Sequence, residues 1–372
     1  MCIDKIIDKD GKEKYIKIHN KLGKIWIIPC SNMRAGLNLY QPSSLKGRFA
    51  KKVLPFIKYL PFLLKICGAE QKLLSVSGET ESLAKRVFGA GEYSYSLFLG
   101  TPGVHQKITM QVFDENKIYG YCKFTDKADI AKIFAGEQEN LKYLRDRNVI
   151  GIPKCLYCGS FADDMSAFVQ DTEKTNNSEA VHELNDIHID FLLRLEKLTL
   201  TSCSYERSDY KKTVSALNAH AEYLSDFISS AELRRILADT ELELAGKTEF
   251  SFYHSDFTPW NMFLNDEKIF VFDFEYAKRT YPGLLDAFHF FTQTAIFEKR
   301  WSASRIYSEF KRIFVYGVYS KLFENSELSY RYYLIDIISM YALRNNGRYD
   351  SVEEQCMNIW CELLRKTVSV NK

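Results

Sequence analysis

Residues 250–276 constrain this chain more than any other segment. They carry Asp256, then Asn261 five positions on, then Asp273 twelve further. Phe250, Phe252 and Tyr253 run into the first acid like a short strand, and Met262–Leu264 and Ile269–Phe272 are apolar runs split by the polar turn Asn265-Asp266-Glu267-Lys268. Two apolar runs around such a turn read as a hairpin. A hairpin folds Asp273 back beside Asn261, so an acid and an amide reach one hard cation. An acid, an amide and an acid at this spacing suit the holding of a hydroxyl and Mg²⁺ against ATP, because phosphoryl transfer asks the protein for positioning and charge neutralisation rather than covalent chemistry. On this reading Asp256 accepts the hydroxyl proton, Asn261 and Asp273 ligate Mg²⁺, and His254 braces the loop. Taken singly, each would be an ordinary polar loop residue; the set of three carries the signal.

His254-Ser255-Asp256-Phe257 with Asn261, followed by Asp273-Phe274-Glu275, resembles the aminoglycoside phosphotransferase and choline kinase family, whose pattern is His-Gly-Asp-x-x-x-x-Asn, a hydrophobic strand, and Asp-x-Glu. The resemblance spans roughly residues 93–345 and is strongest over 250–290. It implies a protein-kinase-like fold of class α+β, bilobal, with a small antiparallel-sheet N-lobe carrying one key helix and a larger, mostly helical C-lobe. It also implies ATP and Mg as cofactors and a small-molecule hydroxyl as acceptor. Ser255 departs from the family's usual Gly. Glu275 stands where protein kinases have the Gly of Asp-Phe-Gly, which favours the small-molecule branch. Asp286, in Gly-Leu-Leu-Asp-Ala-Phe-His, resembles the family's acid that opens the next helix and ties down the catalytic loop; it is equally a first-turn helix acid.

The resemblance requires a lysine on a strand and a glutamate on a helix upstream. Ser96–Leu99, Lys107–Phe113 and Lys117–Phe124 read as strands, the last two joined by Asp114-Glu115-Asn116. Lys123 lies near the end of the third. In the helix that follows, Ile130, Ile133, Phe134, Leu141 and Leu144 share one stripe, and Glu137 falls on it. A carboxylate on a buried face is costly unless a cation meets it, and Lys123 is the natural partner. Glu139 reads as solvated. The connection Gly100-Thr101-Pro102-Gly103-Val104-His105-Gln106 has the glycines that let a backbone approach phosphates, although an ordinary hairpin turn looks the same. The pattern Gly-x-x-x-x-Gly-Lys-Ser/Thr is absent, which argues against a P-loop enzyme. By resemblance, Val169, Gln170 and Asp171 form the interlobe hinge that holds a nucleotide base.

The chain has 372 residues, room for two or three lobes, and a net charge of +2, which gives no global field for nucleic acid. No nucleic-acid-binding motif occurs. Nine cysteines stand at irregular spacings, and Cys155-x-x-Cys158 has no second pair. Core thiols in a reducing cytosol are the better reading, so a cytoplasmic location is expected. The charged start is unlike a signal peptide, and no apolar run approaches the ~20 residues of a transmembrane helix.

Three segments follow: an N-terminal extension over 1–92 packing on the N-lobe, the N-lobe and hinge over 93–171, and the helical C-lobe over 172–372. In the extension, Tyr15–Ile18 and Lys24–Ile28 read as strands around Lys21-Leu22-Gly23. Residues 46–66 hold six basic residues and no acid among many Leu, Ile and Phe, with Pro55 and Pro61 as interruptions. Helices packed under the small lobe with solvated lysines are preferred there to contact with an anionic membrane surface. In the C-lobe, Val181, Leu184, Ile187, Phe191, Leu192 and Leu195 make a helical stripe, and Ala216–Ile228, Leu233–Leu244, Trp301–Leu322, Leu328–Arg344 and Val352–Val368 continue the pattern. Tyr330, Tyr332, Tyr333 and Tyr341 read as core rather than as a sugar-stacking surface. Without an acid cluster to meet a cationic substrate, a sugar or envelope-polysaccharide precursor is the favoured acceptor. The rivals are a catalytically silent nucleotide-binding module and a protein kinase; the latter lacks its Gly after Asp-Phe and its Ala-Pro-Glu segment.

Overall fold

A computed structural model describes residues 3–368 apart from 21–22, 42–44, 101 and 104–105. The expected turn at Lys21-Leu22 and the Thr101, Val104 and His105 positions of the glycine-containing connection lie outside the described residues. The chain divides into two compact units, Met1–Arg145 with Gly151–Glu179, and Asp146–Ile150 with Ala180–Lys372.

The first unit is built on one eight-stranded antiparallel sheet. Its strands are β1 (Ile7–His19), β2 (Ile25–Pro29), β3 (Ala69–Val76), β4 (Ser94–Leu99), β5 (Ile108–Phe113), β6 (Ile118–Thr125), β7 (Cys155–Phe161) and β8 (Met165–Asp171), in the order β3-β1-β2-β4-β5-β6-β8-β7. The strands before residue 92 therefore continue the same sheet as those after it. Alternation sorts the side chains. Tyr15, Ile27, Leu97, Met110, Val112, Cys122, Phe124 and Val169 pack on one face with Leu83 and Ala84 of helix Gly78–Phe88. On the other face, Ile16, Ile18, Trp26 and Ile28 meet Leu37 and the residues Met33, Leu54, Ile57 and Leu64 of three helices, α1 (Met33–Gly36, capped by Leu37), α2 (Leu45–Ile57) and α3 (Pro61–Ile66). Helix Gly78–Phe88 is α4. As expected, the stretch is not one helix, but the break falls at 58–60 rather than at Pro55, which sits in the last turn of α2, while Pro61 opens α3 at a first-turn position where its missing N–H costs nothing. Helix α5 (Ala128–Arg145) buries Ile130, Phe134, Glu137, Asn140, Leu141 and Leu144, and leaves Glu139 exposed.

The second unit is mostly helical. It contains α6 (Asp186–Thr199), β9 (Thr201–Ser202), α7 (Asp209–Ala219), α8 (Ser230–Leu244), β10 (Glu249–Tyr253), β11 (Met262–Asn265), β12 (Lys268–Val271), β13 (Lys278–Tyr281), α9 (Leu285–Phe297), α10 (Ala303–Phe310), α11 (Ser326–Arg344) and α12 (Ser351–Val368). The stripe expected from Val181 is helical only from residue 186. Asn185 accepts the backbone N–H groups of Ile187 and His188, and the His188 ring returns a bond to the Asn185 N–H, so a capping box starts the helix there and leaves Val181 and Leu184 outside. Tyr330 and Tyr333 are fully buried core residues. Among the described residues, no helix is long and apolar enough to cross a membrane.

Gly120 of β6 stands opposite Asp171 of β8, and a methyl group there would meet the Gln170 carbonyl oxygen and the Phe88 ring. Backbone cannot give way as a side chain can, so Gly120→Ala is expected to cost about 2 kcal/mol or more of stability. Equilibrium denaturation of the two proteins checks this; equal midpoints would show that the strands part easily.

Candidate active site

In the first unit, strand alternation sends Cys122 and Phe124 to one face and Lys123 to the other, where α5 lies. Lys123 Nζ is 2.7 Å from Glu137 Oε2, and both side chains are almost wholly buried. The Lys123 ammonium also lies 5.3 Å from the ring centre of Phe168, its register partner on β8. A buried ion pair does little for net stability, but losing one partner strands the other charge, at a cost of about 3–5 kcal/mol.

The glycine-containing connection between β4 and β5 is partly described. Gly100 accepts a bond at its carbonyl from Gln106 Nε2 at 2.8 Å, and the Gly103 carbonyl accepts from Lys127 Nζ at 2.5 Å. Val169, Gln170 and Asp171 close β8, which is flanked by β6 and β7. Val169 and Gln170 are buried, and Asp171 exchanges bonds with the Lys154 backbone, its Oδ1 accepting from Lys154 N at 2.6 Å. Burial pushes the Asp171 carboxyl upward. Cys155 and Cys158 are free, half-buried thiols, and burial pushes Cys155 up to about 12.

In the second unit, β10 delivers residues 254–256 into a loop held from three directions. Asp286, in the first turn of α9, accepts the His254 N–H at Oδ2 (2.8 Å) and the Ser255 N–H at Oδ1 (3.1 Å). The buried His254 ring accepts the Asp256 N–H at Nδ1 (3.2 Å), so its hydrogen sits on Nε2 and is donated to the Phe272 carbonyl at 3.1 Å. Asn261 uses its amide nitrogen twice, donating to the Asp256 backbone oxygen at 3.0 Å and to Asp256 Oδ2 at 2.7 Å.

The hairpin forms as the sequence predicts. Asp266 and Glu267 have φ of 45° and 65°, the doubly left-handed two-residue turn that matches strand twist. Register runs from Asn265↔Lys268 to Met262↔Val271, and the Phe272 N–H extends it by donating to the Asn261 carbonyl at 3.0 Å. Asp273 thus leaves the hairpin one residue beyond Asn261's partner. Asp273 and Glu275 bring carboxylate oxygens within 4.8 Å of each other, and Phe274 packs on His254 with ring centres 4.4 Å apart.

Five of the nine non-glycine left-handed residues among those described fall between Ser255 and Leu284, and Ser255 and Asp273 both have φ of 71°. Backbone strain collected in one segment marks a place where geometry outranks comfort. It also explains why a glycine suits position 255.

Sequence reasoning missed His289. It lies on α9 one turn after Asp286, is 2% exposed, and places Nε2 3.5 Å from Asp256 Oδ1. Its Nδ1 has no hydrogen-bond partner among the described residues. Tyr333 of α11 faces the ring edge-on at 5.6 Å, and the buried Asp336 is near enough for the two to act on each other electrostatically. The i, i+3 relation to Asp286 is the one signal that could have found it.

Burial pushes the Asp286 carboxyl up to about 8, opposed by its two backbone N–H bonds. Burial holds His254 down at about 4, and His188 likewise. These histidines are neutral when folded, while unfolded ones protonate near pH 6.5. Their contribution is complete above that pH and is lost as the pH falls toward 4, at most roughly 3 kcal/mol each. The buried Asp286 carboxyl acts in the opposite sense, taking up a proton on folding across the same range, so the two histidines are read by comparison of variants: His254→Gln should lose less stability than the parent between pH 7 and pH 5 in denaturant titrations, and an equal loss would mean the ring protonates in place.

No known family pattern matches the chain, and no curated protein matches it in sequence. Solved structures do match. A thermostable mutant of aminoglycoside phosphotransferase APH(4)-Ia aligns over 78% of this chain and 100% of its own, at 13% identity and a TM-score of 0.51. A variant of it in ternary complex with AMP-PNP and hygromycin B aligns over 79% and 100%, at 13% identity and 0.52. A choline kinase from Cryptosporidium parvum covers 78% and 94% at 12% identity and 0.46, too loose a match to carry weight. The chain has the kinase-like fold of the aminoglycoside phosphotransferases.

Proposed function

We propose that this protein is an ATP- and Mg²⁺-dependent phosphotransferase acting on a small-molecule hydroxyl. The carrying observation is Asn261: its amide nitrogen fixes both the backbone and the carboxylate of Asp256, so the acid is aimed and the amide oxygen remains for a hard cation. The Asp273–Glu275 carboxylate pair suits the same cation. The shared fold, one member of which holds AMP-PNP and hygromycin B, adds support.

Bound Mg²⁺–ATP would supply the transferable phosphoryl group and the charge that offsets it. Asp256, one-third exposed at its side chain, receives the acceptor's hydroxyl hydrogen bond and takes the proton late. Asn261 and Asp273 hold the cation, Lys123 neutralises phosphate charge, and Glu137 keeps that lysine extended. His254 and Asp286 fix the loop. The acceptor is a sugar or envelope-polysaccharide precursor. ADP release across a panel of sugars, amino alcohols and lipid-linked glycans tests this; nucleotide binding without turnover on any of them would instead favour a silent module.

Asp256→Asn should lower kcat by a hundredfold or more with ATP affinity near wild type, since the acid acts on the acceptor. Lys123→Ala should raise the KM for ATP and also lower stability by about 3 kcal/mol, because Glu137 is left buried and unpaired. An unchanged KM in a folded variant would remove the lysine from nucleotide binding.

His289 is a positioning residue in this scheme. Its Nε2 stands 3.5 Å from Asp256 Oδ1, while Asn261 bonds the other oxygen, Oδ2. His289→Ala should lower kcat while leaving the KM for ATP unchanged, and His289→Gln, which keeps an N–H donor at similar reach, should recover part of the loss. Equal kcat values for the two variants would reduce the ring to packing.

A further inference from the structure

Residues 14–69 contain eleven Lys or Arg and not one Asp or Glu, in a chain whose net charge is only +2. Helices α2 and α3 lie inside this run, and their buried sides are accounted for by Ala50, Leu54, Ile57 and Leu64. The outward sides are unusual. On α2, Phe49 is 66% and Phe56 84% exposed, on a stripe with Arg48 and Lys52 at helical spacing. Beyond it, Tyr59, Leu60, Phe62 and Ile66 are each more than half exposed, Phe62 at 75%, with the exposed Lys65 between the last two. Single exposed apolar residues are ordinary, but six bulky ones more than half exposed within residues 49–66 mark a surface that something covers.

We infer that the outward face of α2 and α3 docks on an anionic membrane surface. Charge decides the occupant: bulky apolar side chains interleaved with the exposed Arg48, Lys52 and Lys65, on two helices that carry no acid, match acyl-chain boundaries topped by anionic headgroups. A second copy of this chain would set the same basic face against itself, which like-charge repulsion opposes. The helices are too short and too charged to enter further, so the contact lies in the interface plane. The inference stands apart from the phosphotransferase reading, because vesicle binding needs no turnover. If both hold, the chain meets a lipid-linked acceptor where that acceptor resides.

Co-sedimentation of the whole protein with phosphatidylcholine vesicles, with and without phosphatidylserine, tests it. Binding should require the anionic lipid and weaken as salt rises. Replacing Arg48, Lys52 and Lys65 together with Gln should reduce it roughly a hundredfold, each charge being worth about a factor of five. Phe56→Ser with Phe62→Ser should abolish it, with melting temperature unchanged because both rings are exposed. Absence of binding, or equal binding to neutral vesicles, would overturn the inference. So would a concentration-dependent dimer, seen by light scattering, that the two Phe substitutions dissolve, since the face would then be covered by a second copy.

Discussion

The site in the second unit depends on one carboxylate accepting two consecutive backbone N–H groups. Asp286 takes the N–H groups of His254 and Ser255, at the point where Ser255 turns left-handed and the chain reverses toward Asp256. Turned N–H groups in a buried loop must find acceptors, and water cannot reach them there. Asp286 supplies both acceptors from the first turn of α9. With the loop fixed, His254 bridges Asp256 to the strand end at Phe272, and Asn261 locks the acid from the far side. Each bond presupposes the Asp286 bracket.

The first unit solves a similar problem with opposite charges. A lysine can be carried into an apolar environment only if a strand presents it and a helix answers it. The period-2 alternation of β6 and the one-face stripe of α5 do this together, with Phe168 beneath the ammonium. Nothing about folding demands an ion pair there, since hydrophobic residues of similar volume would be about as stable. Its presence is therefore better explained by what the ammonium can meet than by what it contributes to the core.

Features resting on local periodicity were legible in the sequence. The hairpin at 262–271, the α5 stripe with Glu137 on it, and helices α8, α11 and α12 follow from spacing and turn chemistry, whereas the helical runs expected over 216–228 and 301–322 leave the α-helix at Ala219 and Phe310. Features set by long-range pairing were not. Strand β1 begins Ile-Asp-Lys-Asp-Gly-Lys-Glu-Lys, which reads as a solvated segment, yet it pairs with β2 and β3. Its register with β3 shifts between Asp8 and Glu13, and a Cβ on Gly11 would collide with the β3 backbone. The start of α6 was misplaced because Asn185 wins over an apolar stripe running on both sides of it. His289 was invisible for another reason: twelve of the thirteen residues of α9 are buried, so periodicity says nothing about which one faces the acid.

Charge is handled in two ways in this molecule, and the contrast sharpens the functional reading. At the candidate site three buried groups have specific answers: Glu137 for Lys123, two N–H groups for Asp286, a donor and an acceptor for His254. On α2 and α3 the exposed Arg48, Lys52 and Lys65 alternate with exposed aromatic and aliphatic side chains, and neither helix carries an acid. The inferred membrane partner would supply the anionic groups that neither helix carries. The proposed transferase site and the proposed membrane face rest on separate residues, Asp256, Asn261 and Asp273 for the one and Phe56, Phe62 and the cations beside them for the other, so each stands or falls by its own measurement.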